Sequence, residues 1–356
     1  MTQSEGFTLE GRQIGGGAVP FVVAEISGNH GGDITRAFSL IDAATDAGAD
    51  AVKFQTYEAH TLTVDSNAEA FIVKTPLWQD RSLFELYQEA QTPFRWHERL
   101  FDHARSRGIL AFSAPFDLTA VDLLEGLDCP LYKIASCELV DFPLIRRVAA
   151  TGKPVIMSTG MATFTEIEEA VAAARSAGAS NLALLHCVSG YPSTAADANL
   201  ATIKAIADQF DCPVGLSDHS PGTLLPVAAV VLGASIIEKH LCLKRGDGSV
   251  DADFSLEPEE FAQLVRDCRD AHIALGAPAD GPTDVEADSL RFRRSLYVVE
   301  DITAGQCFTA QNVRSIRPSG GLHTRHYDEV LGKIATQDIK SGTPLAWDML
   351  DREGCD

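Results

Sequence analysis

PVGLSDHSPGTLLPVAAVVLGASIIEKHLCL, residues 213–243, decides the fold. Val214–Ser217 and Ile236–His240 are short apolar runs that end in polar residues. A helical stretch, Thr223–Leu232, separates them. Two buried strands joined by a helix run parallel, so their C-terminal ends lie at the same end of the sheet. His219 follows the first strand and His240 closes the second. Both imidazoles then come close enough to share one divalent ion; two separately satisfied histidines are the alternative.

The same alternation extends to most of the chain. Candidate strands are Phe21–Ser27, Ala51–Thr56, Leu110–Pro115, Leu131–Ser136, Val155–Thr159 and Leu182–Cys187, followed by the two above. They are rich in Val, Ile, Leu and Ala and bounded by polar residues, Gly or Pro, as fully buried parallel strands are. Helical stretches at Thr35–Ala47, Arg95–Arg107, Thr165–Ser176 and Pro258–Leu275 alternate with them. Eight such strands predict an α/β fold, a (β/α)8 TIM barrel of roughly 250 residues. An open doubly wound sheet is disfavoured because no GxGxxG or GxxxxGK follows the first strand. The connection from Tyr57 to Phe94 is long enough to lie over the barrel mouth, with a short helix near Ser82–Glu89. Composition changes after Gly276, where APADGPTDVEAD reads as linker. The expected division is a barrel over 1–280, a linker over 281–294 and a small β-rich domain over 295–356.

Composition narrows the function. Apolar residues make up 45% and charged residues 22% of the 356, as in soluble globular proteins. The formal charge of −21, from 50 acids and 29 bases, argues against nucleic acid or an anionic membrane as partner. No apolar run approaches the roughly 20 residues of a membrane span. The N-terminus lacks the basic-then-apolar pattern of a secretory leader. The eight cysteines form no CxxC pair and read as buried free thiols in a reducing, cytoplasmic setting. Three of the nine lysines, Lys53, Lys133 and Lys239, fall in or at the end of buried strands. Lysine is rarely buried unpaired, so the three suggest a site that handles negative charge, with a salt bridge as the structural alternative for each.

In a barrel, catalytic groups come from the C-terminal strand ends. Taken in order, those ends offer Glu25 with Ser27, Asn29 and His30; Lys53 and Gln55; Ser113; Lys133, Ser136 and Glu138. Next come Ser158, Thr159 and Gly160; His186, Ser189 and Tyr191; Ser217, Asp218 and His219; and Glu238, Lys239 and His240. Lysines with hydroxyls and backbone amides suit a phosphate or carboxylate. Two neutral imidazoles suit Mn²⁺, Co²⁺ or Zn²⁺ with an open position for substrate. Glu25 and Glu138 are candidate acid/base groups. The set fits a phosphorylated anion joined to a metal-polarised carbonyl compound.

These residues resemble the sialic acid synthase family. The resemblance rests on AEISGNHGGD (24–33), ADAVKFQTY (49–57), FSAPFD (112–117), YKIASCE (132–138) and VIMSTGMAT (155–163). It continues through CVSGYP (187–192), GLSDHS (215–220) and IEKHLCL (237–243). RRSLYVVEDITAGQ (293–306) and RPSGGL (317–322) resemble the family's C-terminal antifreeze-like SAF domain. The insertion at 71–97 and the tail GLHTRHYDEVLGK (321–333) look most like the pseudaminate-forming branch.

The resemblance implies condensation of phosphoenolpyruvate with an acetamido sugar in its open-chain aldehyde form. For the pseudaminate branch that sugar is 2,4-diacetamido-2,4,6-trideoxy-L-altrose; N-acetylneuraminate- and legionaminate-forming enzymes use others. It implies a divalent metal on His219 and His240, usually Mn²⁺, with Mg²⁺ or Co²⁺ as alternatives. Lys53, Lys133, Ser136, Ser158, Ser189 and Ser217 match positions that bind phosphoenolpyruvate. Glu25 and Glu138 match the acidic pair near the reacting centre, and Tyr191 and Asp251 match sugar-side positions. Asp247 and Asp253 compete with Asp251 in the same stretch. Arg317 matches an arginine lent to the partner's barrel, which implies a domain-swapped homodimer. A Schiff-base aldolase using Lys133 or Lys53 and a non-catalytic binding protein remain the competing readings.

Overall fold

The computed structural model describes residues 5–74 and 76–354. Two compact units divide it, Met1–Gly276 and Ala277–Asp356. In the first, β1 (Phe7–Leu9) and β2 (Arg12–Ile14) form an antiparallel hairpin. Eight parallel strands follow and close into a barrel. They are β3 (Phe21–Glu25), β4 (Ala51–Thr56), β5 (Leu110–Pro115), β6 (Tyr132–Ile134), β7 (Val155–Ser158), β8 (Leu182–Cys187), β9 (Val214–Asp218) and β10 (Ile236–His240). Their order round the barrel is β10-β3-β4-β5-β6-β7-β8-β9, and the TIM-barrel class read from the sequence is the observed one.

The helices are α1 (Ile34–Asp46), α2 (Ala59–Leu62), α3 (Leu83–Ala90), α4 (His97–Arg107), α5 (Leu118–Gly126) and α6 (Phe142–Ala149). After them come α7 (Phe164–Ser176), α8 (Ala201–Phe210), α9 (Leu224–Val231) and α10 (Pro258–Leu275). Side chains start them where the backbone leaves amides unpaired. Asp33, Asp117 and Asp141 accept from amides in the first turns of α1, α5 and α6, and Ser82 and Thr163 form capping boxes with Glu85 and Glu166. β3, β7, β8, β9 and β10 are buried at every position because helices cover the outer face and side chains fill the lumen. Gly215 in β9 has no alternative: a Cβ there would collide with the carbonyl oxygen of Ile236.

Three details differ from the sequence reading. The N-terminal hairpin was not anticipated; Leu9 and Ile14 join the barrel's core, and Gly15 packs on Pro213 at the N-terminal end of β9. The segments Ser27–His30 and Ser136–Val140 are 3-10 turns, so β3 ends at Glu25 and β6 at Ile134, short of the expected ends at Ser27 and Ser136. Of the eight cysteines expected as buried free thiols, Cys137 is exposed and Cys307 is disulfide-bonded, while Cys355 lies outside the described residues.

The second unit builds β11 (Ser295–Val298) with β12 (Val313–Ile316), a short α11 (Tyr327–Val330), and β13 (Lys333–Ala335) with β14 (Leu350–Gly354). Its own small core includes Leu296, Val298, Phe308, Val313 and Val330. No described helix is long and apolar enough to cross a membrane.

Two buried histidines staple the long β4–α4 insertion. His30 Nδ1 accepts from Gly32 N at 3.1 Å, so Nε2 donates to Thr92 Oγ1 at 3.1 Å. His97 Nδ1 faces Pro93 O at 3.3 Å, so its Nε2 accepts from Thr56 Oγ1 at 2.8 Å. Burial holds both down to about 4. Above pH 6.5 the folded and unfolded chains are both neutral at these sites. Below it the unfolded chain binds protons that the folded one refuses, so stability falls from pH 6.5 down to about 4 and then levels. Each site contributes at most roughly 3 kcal/mol to that fall. Denaturant melts at pH 7.5 and 5.5 are expected to show the loss, and His97→Gln to reduce it; equal midpoints at both pH values would contradict this.

Candidate active site

Inward-facing residues of the strands build a charged cluster in the lumen. Lys53 Nζ, from β4, lies 2.7 Å from Glu25 Oε2 of β3 and 3.4 Å from Glu238 Oε1 of β10. Lys133 Nζ, from β6 on the far side of the barrel, lies 3.4 Å from the same Glu238 oxygen. Ser217 Oγ donates to that oxygen at 2.9 Å, and Gln55 Nε2 donates to Glu25 Oε1 at 3.1 Å. All four ionisable groups are buried. Burial raises the Glu25 carboxyl against the pull of Lys53. Burial also works against the Glu238 carboxylate, but Lys133 and Lys53 together hold it down to about 2. Burial lowers the Lys133 ammonium.

Hydroxyls gather beside the lysines. Gly160 N donates to Ser136 Oγ at 3.1 Å. A Cβ on Gly160 would lie 2.7 Å from Ser136 Oγ and closer still to Ser189 Oγ, so both hydroxyls converge on this glycine. Ser158 Oγ is buried without a hydrogen-bond partner. Unpaired buried donors of this kind await a ligand oxygen. Gly160→Ala is therefore expected to raise the KM of the anionic substrate roughly 100-fold by displacing both hydroxyls. Unchanged steady-state kinetics would show that the hydroxyls do not bind it.

Glu138 follows on the turn after β6. Burial pushes its carboxyl up to about 7, and its Oε2 has no partner. A carboxyl poised near neutrality can give or take a proton at working pH.

The histidine pair lies on the β9–β10 side. The rings of His219 and His240 stand 5.3 Å apart between centroids. His219 Nδ1 faces Val188 O at 3.0 Å. A carbonyl only accepts, so Nδ1 carries a proton and Nε2 is the nitrogen left to face a ligand. Cys187 Sγ sits 3.9 Å from the same Nδ1. His240 is held neutral, far below the usual imidazole range, by burial and neighbouring cations; its Nδ1 is buried without a partner. Asp251 Oδ2 lies 4.0 Å from that nitrogen and accepts the Ser27 hydroxyl. Burial works against the His219 imidazolium, but Cys187 and the Val188 carbonyl raise it above the ordinary range. Nε2 of His219 and the orphaned Nδ1 of the neutral His240 fit a divalent ion that displaces any proton there and takes its remaining ligands from water or substrate. Among the described residues no group of three His, Cys, Asp or Glu could hold an ion unaided.

An aromatic wall adjoins the pair. The Tyr191 ring packs at a tilt 4.6 Å from His219 and 5.2 Å from Phe254 between centroids. Trp78 of the insertion reaches Tyr191 at 5.6 Å, and its Nε1 donates to Val250 O at 3.2 Å.

Several expected residues lie elsewhere. Ser113 faces the helix side of β5, where its hydroxyl meets Thr56 Oγ1 at 2.6 Å in the Thr56–His97 chain. Asn29 is committed to Leu241 O and Ser255 Oγ at 2.9 and 2.8 Å, tying the β3 end to the loop after β10. Lys239 does not join the lumen lysines; it pairs with Asp218 and donates to Ser220 O behind the strand. Asp247 bonds Arg36, which leaves Asp251 as the loop acid beside the histidines. Arg317 is an exposed residue of the second unit, just after β12. Glu238, the hub of the cluster, was read only as one strand-end group; its signal is its position two residues before His240 on the same strand face.

Known proteins share this arrangement of sequence and fold. Residues 40–280 match the NeuB family and residues 293–351 the SAF domain. The chain is 42% identical to the pseudaminic acid synthase of Helicobacter pylori, over 94% of this chain and 98% of that one. It is 45% identical to the pseudaminic acid synthase of Campylobacter jejuni, over 91% and 95%. Among solved structures, the N-acetylneuraminic acid (sialic acid) synthetase of Leptospira borgpetersenii superposes with a TM-score of 0.73 at 34% identity, over 82% of this chain and 97% of that one. With a closed barrel, a cluster of lysines and hydroxyls in its lumen, and matches of this length, the chain belongs to the NeuB family.

Proposed function

We propose that the chain is a pseudaminic acid synthase. It condenses phosphoenolpyruvate with 2,4-diacetamido-2,4,6-trideoxy-L-altrose, giving pseudaminic acid and phosphate. The observation that carries this is the lumen cluster: two buried lysines, from β4 and β6, with convergent, partly unpaired hydroxyls, inside a chain 42–45% identical to pseudaminic acid synthases.

Lys53 and Lys133 pair with the phosphate and carboxylate of phosphoenolpyruvate, and Ser136, Ser158, Ser189 and Ser217 donate to its oxygens. C3 of the enol forms the new bond to the sugar's aldehyde carbon. Water then adds at C2, and the C2–O bond breaks to release phosphate. Glu25 and Glu138 handle the protons of water addition and of the nascent hydroxyl. His219 and His240 hold a divalent metal, Mn²⁺ being the expected ion with Mg²⁺ or Co²⁺ as substitutes. When bound, it supplies Lewis-acid polarisation of the aldehyde. Tyr191, Asp251 and the Trp78 side of the insertion line the sugar end. Both substrates are small polar metabolites, and a cytoplasmic location follows from this reading.

Phosphate release from phosphoenolpyruvate tests it, with the altrose sugar or N-acetylmannosamine, each with and without EDTA. Chelator-sensitive turnover of the altrose sugar alone supports the proposal. Turnover of N-acetylmannosamine alone overturns the sugar, and full activity in EDTA overturns the metal.

We further propose a homodimer in which Arg317 of one chain completes the partner's site. Val140, Met161 and Leu224, after β6, β7 and β9, are exposed apolar residues on the barrel mouth and support a covered face there. Mixing inactive Arg317→Ala and Lys133→Met chains is expected to restore about a quarter of wild-type activity, because one of the two sites in a mixed dimer is intact. No recovery after subunit exchange would sink the exchange of Arg317.

A further inference from the structure

We infer that Glu238 is a positioning residue for phosphoenolpyruvate: it spans the barrel lumen and holds the Lys133 ammonium where the substrate anion binds. The inference rests on reading the lumen as the phosphoenolpyruvate site.

The geometry sets Glu238 apart from Glu25. Glu25 is a close partner of Lys53, at 2.7 Å. Lys133 has a different position: Glu238 is the only carboxylate within 4 Å of its ammonium among the described residues, Glu25 and Glu138 acting on it from farther off. The strand order puts β10 opposite β6, so the Glu238 side chain crosses the lumen to reach it. Ser217, its register neighbour on β9, donates to the same Oε1 and fixes the carboxylate's direction. Lys133 is 2% exposed and Glu238 is 4% exposed. A buried ammonium that loses its nearest carboxylate pays a large desolvation cost, so it must move or lose its proton. Both lysine contacts with Glu238 are 3.4 Å long. That is loose for a charge-assisted hydrogen bond. Glu238 therefore restrains the lysines without saturating their donors, leaving N–H groups for the substrate's oxygens.

The test is calorimetric titration with phosphoenolpyruvate alone, so that neither sugar nor turnover enters. The chains compared are wild type, Glu238→Gln, Lys133→Met and the double variant. Glutamine keeps the volume and the acceptor for Ser217 but removes the charge. Glu238→Gln is expected to weaken phosphoenolpyruvate at least about tenfold, while the KM of the sugar moves less than about twofold. In the Lys133→Met background the second change is expected to cost clearly less than it does alone, the remainder being the Glu238 contact with Lys53. Wild-type affinity in Glu238→Gln, or losses that multiply in the double variant, overturns the inference. If Glu238→Gln fails to fold, Glu238→Asp, which keeps the charge but draws it back, is expected to weaken binding in the same direction; unchanged affinity there overturns it equally. Failure of the wild type to bind phosphoenolpyruvate would instead overturn the proposed function.

Discussion

His240→Ala is expected to abolish turnover, with a fall in kcat/KM on the order of 10³-fold or more, while the fold survives. The imidazole is buried at the end of β10, yet its Nδ1 has no hydrogen-bond partner to lose. What it contacts is a set of rings, Phe254 at 4.9 Å and His219 at 5.3 Å between centroids. Truncation removes part of that packing, and a thermal melt is expected to shift by only a few degrees. The loss of activity is expected to come instead from removing one of the two proposed metal ligands, which water does not replace in geometry or affinity. Metal content by mass spectrometry is expected to fall with activity. Near-wild-type turnover of His240→Ala at low metal would remove His240 from the mechanism.

Glu138→Gln separates chemistry from stability. Activity is expected to fall by about 10²- to 10⁴-fold, the range for a lost general acid or base. Stability is expected to rise above pH 7. The folded carboxyl titrates at about 7, above its ordinary 4.5. Below pH 4.5 the group is protonated in both states and costs nothing. As pH rises from 4.5 through 7, the unfolded chain ionises freely while the folded one resists, and stability is lost. Above 7 the loss is complete, at up to roughly 3 kcal/mol. Glutamine never ionises, so the variant is expected to melt higher than wild type at pH 8 and equally at pH 4. A lower melting temperature at pH 8 would show that Glu138 is a structural ion rather than a strained acid. A group held at a cost in stability and needed for turnover is what an active site requires.

Much of the architecture was legible because the strands carry their own signal. Ala51–Thr56, Leu110–Pro115, Leu182–Cys187 and Ile236–His240 were read to the residue. Each opens on two or more apolar residues and carries its polar residues later in the strand. The ends read less well where the chain continues into a 3-10 turn, as at Ser27–His30 and Ser136–Val140. Such turns use the same small and polar residues as strand ends and leave no periodicity in so short a span. The N-terminal hairpin was overlooked although FTLEGRQI alternates around a turn at Gly11. Three-residue strands fall below the length at which alternation is persuasive.

The sequence by itself determined the barrel, the second domain's presence and the set of polar groups at the strand ends. Hydrophobic runs and the residue types beside them are local properties, and they suffice for that. The tertiary structure alone decided which of those groups face one another. A strand buried on both faces shows no alternation of polar and apolar residues, so its phase is invisible in the sequence. Lys239 and Glu238 are neighbours in the chain, yet one pairs with Asp218 behind the sheet while the other crosses the lumen to Lys133. Ser113 was expected beside the lysines and lies instead against Thr56 on the helix side. Barrel closure fixes the phase of every strand at once, because pairing carries one face round the sheet: His240 is in register with Glu25, and Glu25 with Lys53.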